Sequence, residues 1–361
     1  VVLQSILVTG AGGFIGGEIA RTLAAQPGFA VYGATRDGRG LGGAIRPVRL
    51  DVCDAASLAA GLRGIDAVVH CAVGGRRVTV DGTRDVLAAA RAAGVRRVVH
   101  LSSIAVYGGA RGDVDETAPL VSPEGGGYHH WKAAAEAACL QAAATGLEIV
   151  VLRPTIVYGP GSREWIVRPA RRFTRGGWGD LGELGSGTCN PVHVADVAAA
   201  CAAALRGAAI GGADAYNISG PETLSWRDWH ARLAEALGHA PLPPLSARAW
   251  RRRSMAALPF AAAARLLPPA RRVFEGRILA APARSELALF ALAATYRTDK
   301  AATGLGWRPA IGLEQGLADC VAWLCANGLA PANPRLRDGS AIPDVKPDTF
   351  SMGADPTFSK S

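Results

Sequence analysis

Tyr128 and Lys132 stand four residues apart, 25 residues after Ser103. On a helix that spacing puts both side chains on one face, where an ammonium beside a phenol favours the ionised phenol and makes it a usable acid or base near neutral pH. Alone, Tyr-x-x-x-Lys is an ordinary pair on a solvated helix. Upstream, however, lies Thr9-Gly-Ala-Gly-Gly-Phe-Ile-Gly16. Its Gly10, Gly13 and Gly16, with Phe14 and Ile15 opening the next helix, let a backbone turn approach a pyrophosphate at a helix N-terminus. Together the two segments predict hydride transfer between a dinucleotide and a small-molecule substrate.

The next position in such an arrangement is the end of the second strand, where an acid holds a ribose 2′-hydroxyl and an arginine a 2′-phosphate. Arg36 occupies it, preceded by Thr35 and followed by Asp37. NADP is therefore favoured, and NAD stays open because a small shift of register restores an acid. Asp51, ending the third strand beside Val52, is placed to accept from an adenine amino group or, equally, to cap the turn that follows. His129 and His130 beside Tyr128 lack further ligands at metal-binding spacing, so no metal is expected.

The elements that must position these groups are short apolar runs at 5–9, 30–34, 47–50, 67–71, 97–102 and 149–152, separated by Ala-rich helical stretches. A helix over 83–93 stops at Gly94, a residue suited to a left-handed cap. This alternation predicts an α/β fold, a Rossmann-type doubly wound parallel sheet. Residues 1–158 and 188–222 are assigned to it. A smaller, mainly helical substrate lobe takes 159–187 and 223–329, with prolines 241, 243, 244, 259, 268, 269 and 282 limiting helix length, and an extended tail takes 330–361.

Seven cysteines without a Cys-x-x-Cys pair argue against a disulfide scaffold or a structural zinc. A cytoplasmic setting is expected: a strand begins almost at once, leaving no room for a signal peptide, although Val1 suggests a missing start. The net charge of +9 is concentrated, since residues 246–284 hold nine arginines against Glu275 alone. A nucleic-acid binder spreads its basic residues over a wider face, so no nucleic acid is expected. The cluster suggests a local anionic partner, an anionic or apolar substrate, or a peripheral membrane contact through 248–295.

The chain resembles the extended short-chain dehydrogenase/reductase family, which includes the NAD-dependent epimerase/dehydratases, over about residues 3–329. The resemblance rests on TGAGGFIG (9–16), Asp51 with Asp54, VVHCA (68–72), Gly82-Thr83, LSSIAVYG (101–108), YHHWK (128–132), LRPTIVYGPG (152–161), VHVADVA (192–198), YNISGPETLS (216–225) and LGW-x-P (305–309). It implies that Ser103 hydrogen-bonds the substrate oxygen, Tyr128 exchanges its proton, and Lys132 depresses the tyrosine pKa while holding the nicotinamide ribose. Pro154 and Thr155 would line the nicotinamide pocket, Cys71, Ala72 and Val73 would pack along the cofactor, and a homodimer would form through helices at about 80–93 and 127–145. Departures bear on substrate. Ile104 and Ala105 replace the acid pair of dehydratases, and Cys189-Asn190-Pro191 stands where nucleotide-sugar epimerases place a diphosphate-clamping arginine. Thr79 takes the place of a cofactor-side asparagine, and only six residues separate it from Ala72. An NADP-dependent reductase, a nucleotide-sugar epimerase with tightly held cofactor and a non-catalytic cofactor-sensing or lipid-surface protein are the functions that follow.

Overall fold

The computed structural model describes residues 4–175, 178–207, 211–266 and 270–330. Its centre is one parallel sheet of seven strands: Gln4–Thr9 (β1), Phe29–Thr35 (β2), Arg46–Arg49 (β3), Ala67–His70 (β4), Arg97–Leu101 (β5), Glu148–Pro154 (β6) and Ala213–Ile218 (β7). They lie in the order β7-β6-β5-β4-β1-β2-β3. The register sets Ile6 beside Val31 and Ala67, and Val99 beside Val69 and Val150. Successive strand residues face opposite sides. Ile6, Val8, Val69, Val99 and Val150 therefore meet Ile19 and Leu23 of α1 (Phe14–Ala24) and Val197 and Cys201 of α6 (Val194–Arg206). Leu7, Val68, Val98 and Ile149 meet the other layer, Leu58 of α2 (Ala55–Gly61), Val86 of α3 (Gly82–Ala92) and Cys139 of α4 (Tyr128–Ala143). Helices on both faces make the sheet doubly wound, with strand order reversing between β1 and β4.

Local chemistry explains the boundaries. The end of α3 is closed by Gly94 at φ +73°, with the Val95 amide reaching back to the Ala90 carbonyl at 2.9 Å, as the sequence anticipated. Helix α4 reads YHHWKAAAEAACLQAA, and its seven alanines give high helix propensity and a small cross-section.

A second apolar cluster is built from α5 (Arg168–Thr174), α7 (Trp226–Ala236), α10 (Arg284–Phe290) and α12 (Leu313–Ala326), with Trp178, Trp226, Trp229, Trp250 and Phe290 buried together. Within it Arg172, 1% exposed at its side chain, makes two 2.8 Å hydrogen bonds to Glu286 and lies 4.1 Å from the Trp178 ring centre. Ala301 of α11 (Asp299–Gly304) and Trp307 pack instead with the sheet cluster.

One expectation fails. Pro259 does not limit its helix, because α8 (Ala247–Leu266) runs through it for 20 residues. The carbonyl that loses its donor belongs to Met255, a residue on the exposed face of the helix, where the missing bond costs less than it would in the core. Helix α9 (Ala270–Leu279) follows. The tail beyond residue 330 lies outside the described residues. No described helix is long and apolar enough to cross a membrane.

Candidate active site

The residues singled out from the sequence gather at the C-terminal edge of the sheet. β1 leads into the glycine turn, in which Gly10 has φ +66° and a Cβ there would lie 2.9 Å from the Ala72 amide nitrogen. A Cβ on Gly16 would lie 2.4 Å from the Gly10 carbonyl oxygen. Any side chain at either position breaks the turn. Gly13 is the N-cap of α1 and offers no capping side chain, leaving the first-turn amides near Phe14 and Ile15 directed at the crevice. Thr9 Oγ1 bonds His70 Nδ1 at 2.7 Å and accepts from the Cys71 and Ala72 amides at 3.2 and 3.4 Å, tying the turn to the end of β4. Burial pushes the Cys71 thiol up to about 12, which suits packing and not redox chemistry. Val73, next along the chain, is 51% exposed.

Around this turn stand the groups expected to set cofactor preference. Arg36 is exposed directly after β2, and Asp37 pairs with Arg39 at 3.1 Å. The Asp51 carboxylate accepts from the Cys53 amide at 2.9 Å, with Val52 buried beside it, whereas Asp54 is the residue that caps α2. A glycine turn closed on itself, uncapped helix amides and a 2′-side arginine fit a dinucleotide. Among the described residues no group of three His, Cys, Asp or Glu could hold a metal.

Ser103 follows β5 in extended conformation and caps the short turn Ile104–Tyr107, its Oγ accepting from the Ala105 amide at 3.2 Å. Tyr128 opens α4, with its phenol beside the Ser103 hydroxyl. His130 supports that opening: its Nδ1 lies 2.6 Å from the Ser122 carbonyl, and a Cβ on Gly125 would collide with its ring. Lys132, 4% exposed, donates from Nζ to the Leu101 carbonyl at 2.5 Å. Pro154 ends β6, and the Thr155 amide donates to the Ile218 carbonyl at 3.0 Å, joining the ends of β6 and β7.

The expected electrostatics need correcting. Burial pushes the Tyr128 phenol above its ordinary value, and the Ser103 hydroxyl opposes the shift only in part. Lys132 does not reverse it, since its ammonium is committed to Leu101 and is itself lowered to about 8 by burial. Thr79 also departs from expectation. Its hydroxyl donates to the Gly74 carbonyl at 2.9 Å and accepts from the Gly74 amide at 3.1 Å, so it closes the short loop after β4.

Sequence reasoning missed the framework beneath the site. Glu136, one turn beyond Lys132, takes Ser102 Oγ at 2.5 Å and Arg153 Nη2 at 2.6 Å. Arg153 Nη1 donates to Tyr107 Oη at 2.8 Å, and Tyr107 donates to Asn217 Oδ1 at 2.7 Å. This buried chain links α4, β6, the turn after Ser103 and β7. The available signal was Glu136 at i+4 from Lys132, an acid on an otherwise alanine face.

Comparison with known proteins agrees with this geometry. Residues 6–219 match the model of the NAD dependent epimerase/dehydratase family. A 2-alkyl-3-oxoalkanoate reductase of Stenotrophomonas maltophilia is 31% identical over 65% of this chain and 76% of its own length. A 4-hydroxy-2-methyl-3-oxo-4-farnesyl-3,4-dihydroquinoline-1-oxide ketoreductase of Stigmatella aurantiaca is 36% identical over 52% of this chain, which spans only 54% of that relative. Among solved structures, MoeE5 in complex with UDP-glucose and NAD aligns with 90% of this chain and 99% of its own at TM-score 0.66 and 28% identity. A UDP-glucose 4-epimerase of Thermotoga maritima shares the fold at TM-score 0.69 and 19% identity, over 90% of this chain and 99% of its own. The chain belongs to the NAD-dependent epimerase/dehydratase family, the extended branch of the short-chain dehydrogenases/reductases, and is an NAD(P)-dependent oxidoreductase or epimerase.

Proposed function

We propose that this chain is an NADP(H)-dependent reductase acting on one carbonyl/secondary-alcohol pair of a small apolar or anionic molecule. The observation that carries the reading is the Ser103 hydroxyl beside the Tyr128 phenol, followed by Ile104 and Ala105. It aims one proton donor at one substrate oxygen and puts no acid in the two positions after Ser103. The bound nicotinamide supplies the hydride. Tyr128 Oη gives its proton to the substrate oxygen, Ser103 Oγ donates a hydrogen bond to the same oxygen, and Lys132 holds the floor of the site through Leu101. Arg36 is the ligand of the 2′-phosphate, and the pairing of Asp37 with Arg39 supports that choice by occupying the nearest acid. The reductase names of the two relatives above agree.

Epimerisation of a nucleotide sugar is the second reading, favoured by the likeness to MoeE5 with UDP-glucose and NAD. The position expected to clamp a diphosphate counts against it. There Asn190, 3% exposed, donates to the Ala294 carbonyl at 2.9 Å. We place a homodimer on α3 and α4, where Leu140 is 61% exposed, and the protein in the cytoplasm.

Tryptophan quenching with NADPH and NADH, run on the parent and on Arg36→Ala, tests the reading. NADPH is expected to bind more tightly, and loss of one charge-assisted bond, about 1.5–3 kcal/mol, to weaken NADPH alone by roughly 10- to 100-fold. Equal weakening of both cofactors, or inversion of a sugar nucleotide without net cofactor turnover, overturns it.

A further inference from the structure

The chemistry above leaves α8 unused, and α8 carries three large apolar side chains outward. Of the six large apolar residues exposed among the described residues, three lie on this helix: Met255 at 70%, Leu258 at 48% and Leu266 at 82%. At 100° per residue, Arg248, Arg251, Arg252, Met255, Leu258, Pro259, Ala262 and Leu266 fall within an arc of about 120°, and every one of them is exposed. The opposite arc is turned into the protein. Trp250 is buried against Trp178 and donates to the Asp180 carbonyl at 3.0 Å, Ser254 donates to the Pro282 carbonyl at 3.2 Å, and Phe260 packs on Phe274. The helix is therefore amphipathic in an unusual sense, its solvent face being basic for the first half and apolar for the second.

Charge identifies what fits that face. Helix α8 has no acidic residue, and Arg248, Arg251 and Arg252 make no ion pair among the described residues. The two nearby acids face inward to other partners: Glu275 pairs with Arg171 and Arg175, and Glu286 with Arg168 and Arg172. Exposed Arg277 and Arg284 on α9 and α10 add to the same charge. A flat surface that is anionic at its boundary and apolar just beneath satisfies both halves of the stripe together.

We propose that the exposed face of α8 docks on an anionic lipid bilayer, with the arginines at the headgroups and Met255, Leu258 and Leu266 entering the acyl boundary. Docking is independent of the reductase reading, since it is measured without substrate or turnover. Sedimentation of the full chain with vesicles of equal parts phosphatidylglycerol and phosphatidylcholine, against pure phosphatidylcholine, tests it. Binding to the anionic vesicles alone is expected, falling steeply with salt. Arg251→Glu with Arg252→Glu is expected to weaken partitioning at least about 30-fold, each arginine contributing roughly five-fold. Met255→Asp with Leu258→Asp is expected to abolish it while NADPH quenching is unchanged. The parent protein supplies a measurement free of folding effects. Failure to sediment with anionic vesicles at low salt overturns the proposal, as does equal binding to both vesicle types. A change of oligomeric state in Met255→Asp/Leu258→Asp, read by light scattering, also overturns it by assigning the stripe to a second copy of the chain.

Discussion

Glu136→Gln is the perturbation that best tests whether the site is held from beneath. The Glu136 and Arg153 side chains are 4% and 6% exposed, and three hydrogen bonds of 2.6–3.2 Å join them. The amide can still accept from Ser102, but it leaves a buried guanidinium without its counter-charge. Breaking a buried pair from one side costs about 3–5 kcal/mol. With an unfolding entropy of about 2 cal/mol/K per residue over roughly 330 residues, the melting temperature falls by roughly 4–8 °C. Activity should fall too, and more in kcat than in KM. Ser102 precedes Ser103 and Glu136 follows Lys132 by one turn, so in the proposed mechanism a slip of about 1 Å at this joint moves both halves of the proton-transfer pair and costs about 100-fold.

Thermal denaturation followed by circular dichroism is the assay, run on Glu136→Gln and on a cycle of the parent, Glu136→Leu, Arg153→Met and the double variant. Removing both charges leaves no unpaired ion, so the double variant should lose less stability than the sum of the singles by about 2 kcal/mol or more. A single variant melting within about 1 °C of the parent, or strict additivity, would refute the reasoning.

Further outcomes follow from the same structure. Burial alone would raise Glu286, but Arg172 and Arg168 override it and hold its pKa at about 2 against an ordinary 4.5. A depressed folded pKa gives stability that is present above 4.5 and lost as pH falls toward 2, worth about 3 kcal/mol. Acid titration of stability should therefore be shallower in Glu286→Gln, and parallel curves would exclude the effect. Gly10→Ala puts a Cβ 2.9 Å from backbone at φ +66° and should weaken cofactor binding more than about ten-fold, as calorimetry would show. Because burial raises the Tyr128 phenol, reduction should stay flat from about pH 6 to about pH 9 while oxidation climbs. Tyr128→Phe should lose about 10²–10⁴ of kcat, and the opposite pH trend would remove Tyr128 as the acid.

What could be read in advance was what repeats along the chain. The six apolar runs fell within a residue or two of β1 to β6, and the glycine turn and Gly94 stood where their backbone angles require glycine, because strand period and left-handed φ are local properties. The Glu136–Arg153 joint was not readable. Its partners are 17 residues apart, and they meet only because α4 crosses β6 at one register. The ammonium of Lys132 was misjudged for a related reason. Four-residue spacing puts it on the face of Tyr128, but the Leu101 carbonyl, brought up by the sheet, accepts its hydrogen bond. Pro259 was misread because its cost depends on whether the freed carbonyl meets water, which only burial decides.

The two halves of the site consequently answer to different constraints. Four polar groups around the site are bound to strand ends: Thr9 to β4, Lys132 to β5, Thr155 to β7, and Ser102 through Glu136 to β6. A substitution that moves one of them must disturb the sheet, which in the proposed mechanism holds the hydride and proton geometry. By contrast, α5, α7 and α10 share a separate tryptophan-rich core, and its buried Arg172–Glu286 pair closes within that core. The family was legible from short motifs while the substrate was not, because that tryptophan-rich core joins residues far apart in the chain.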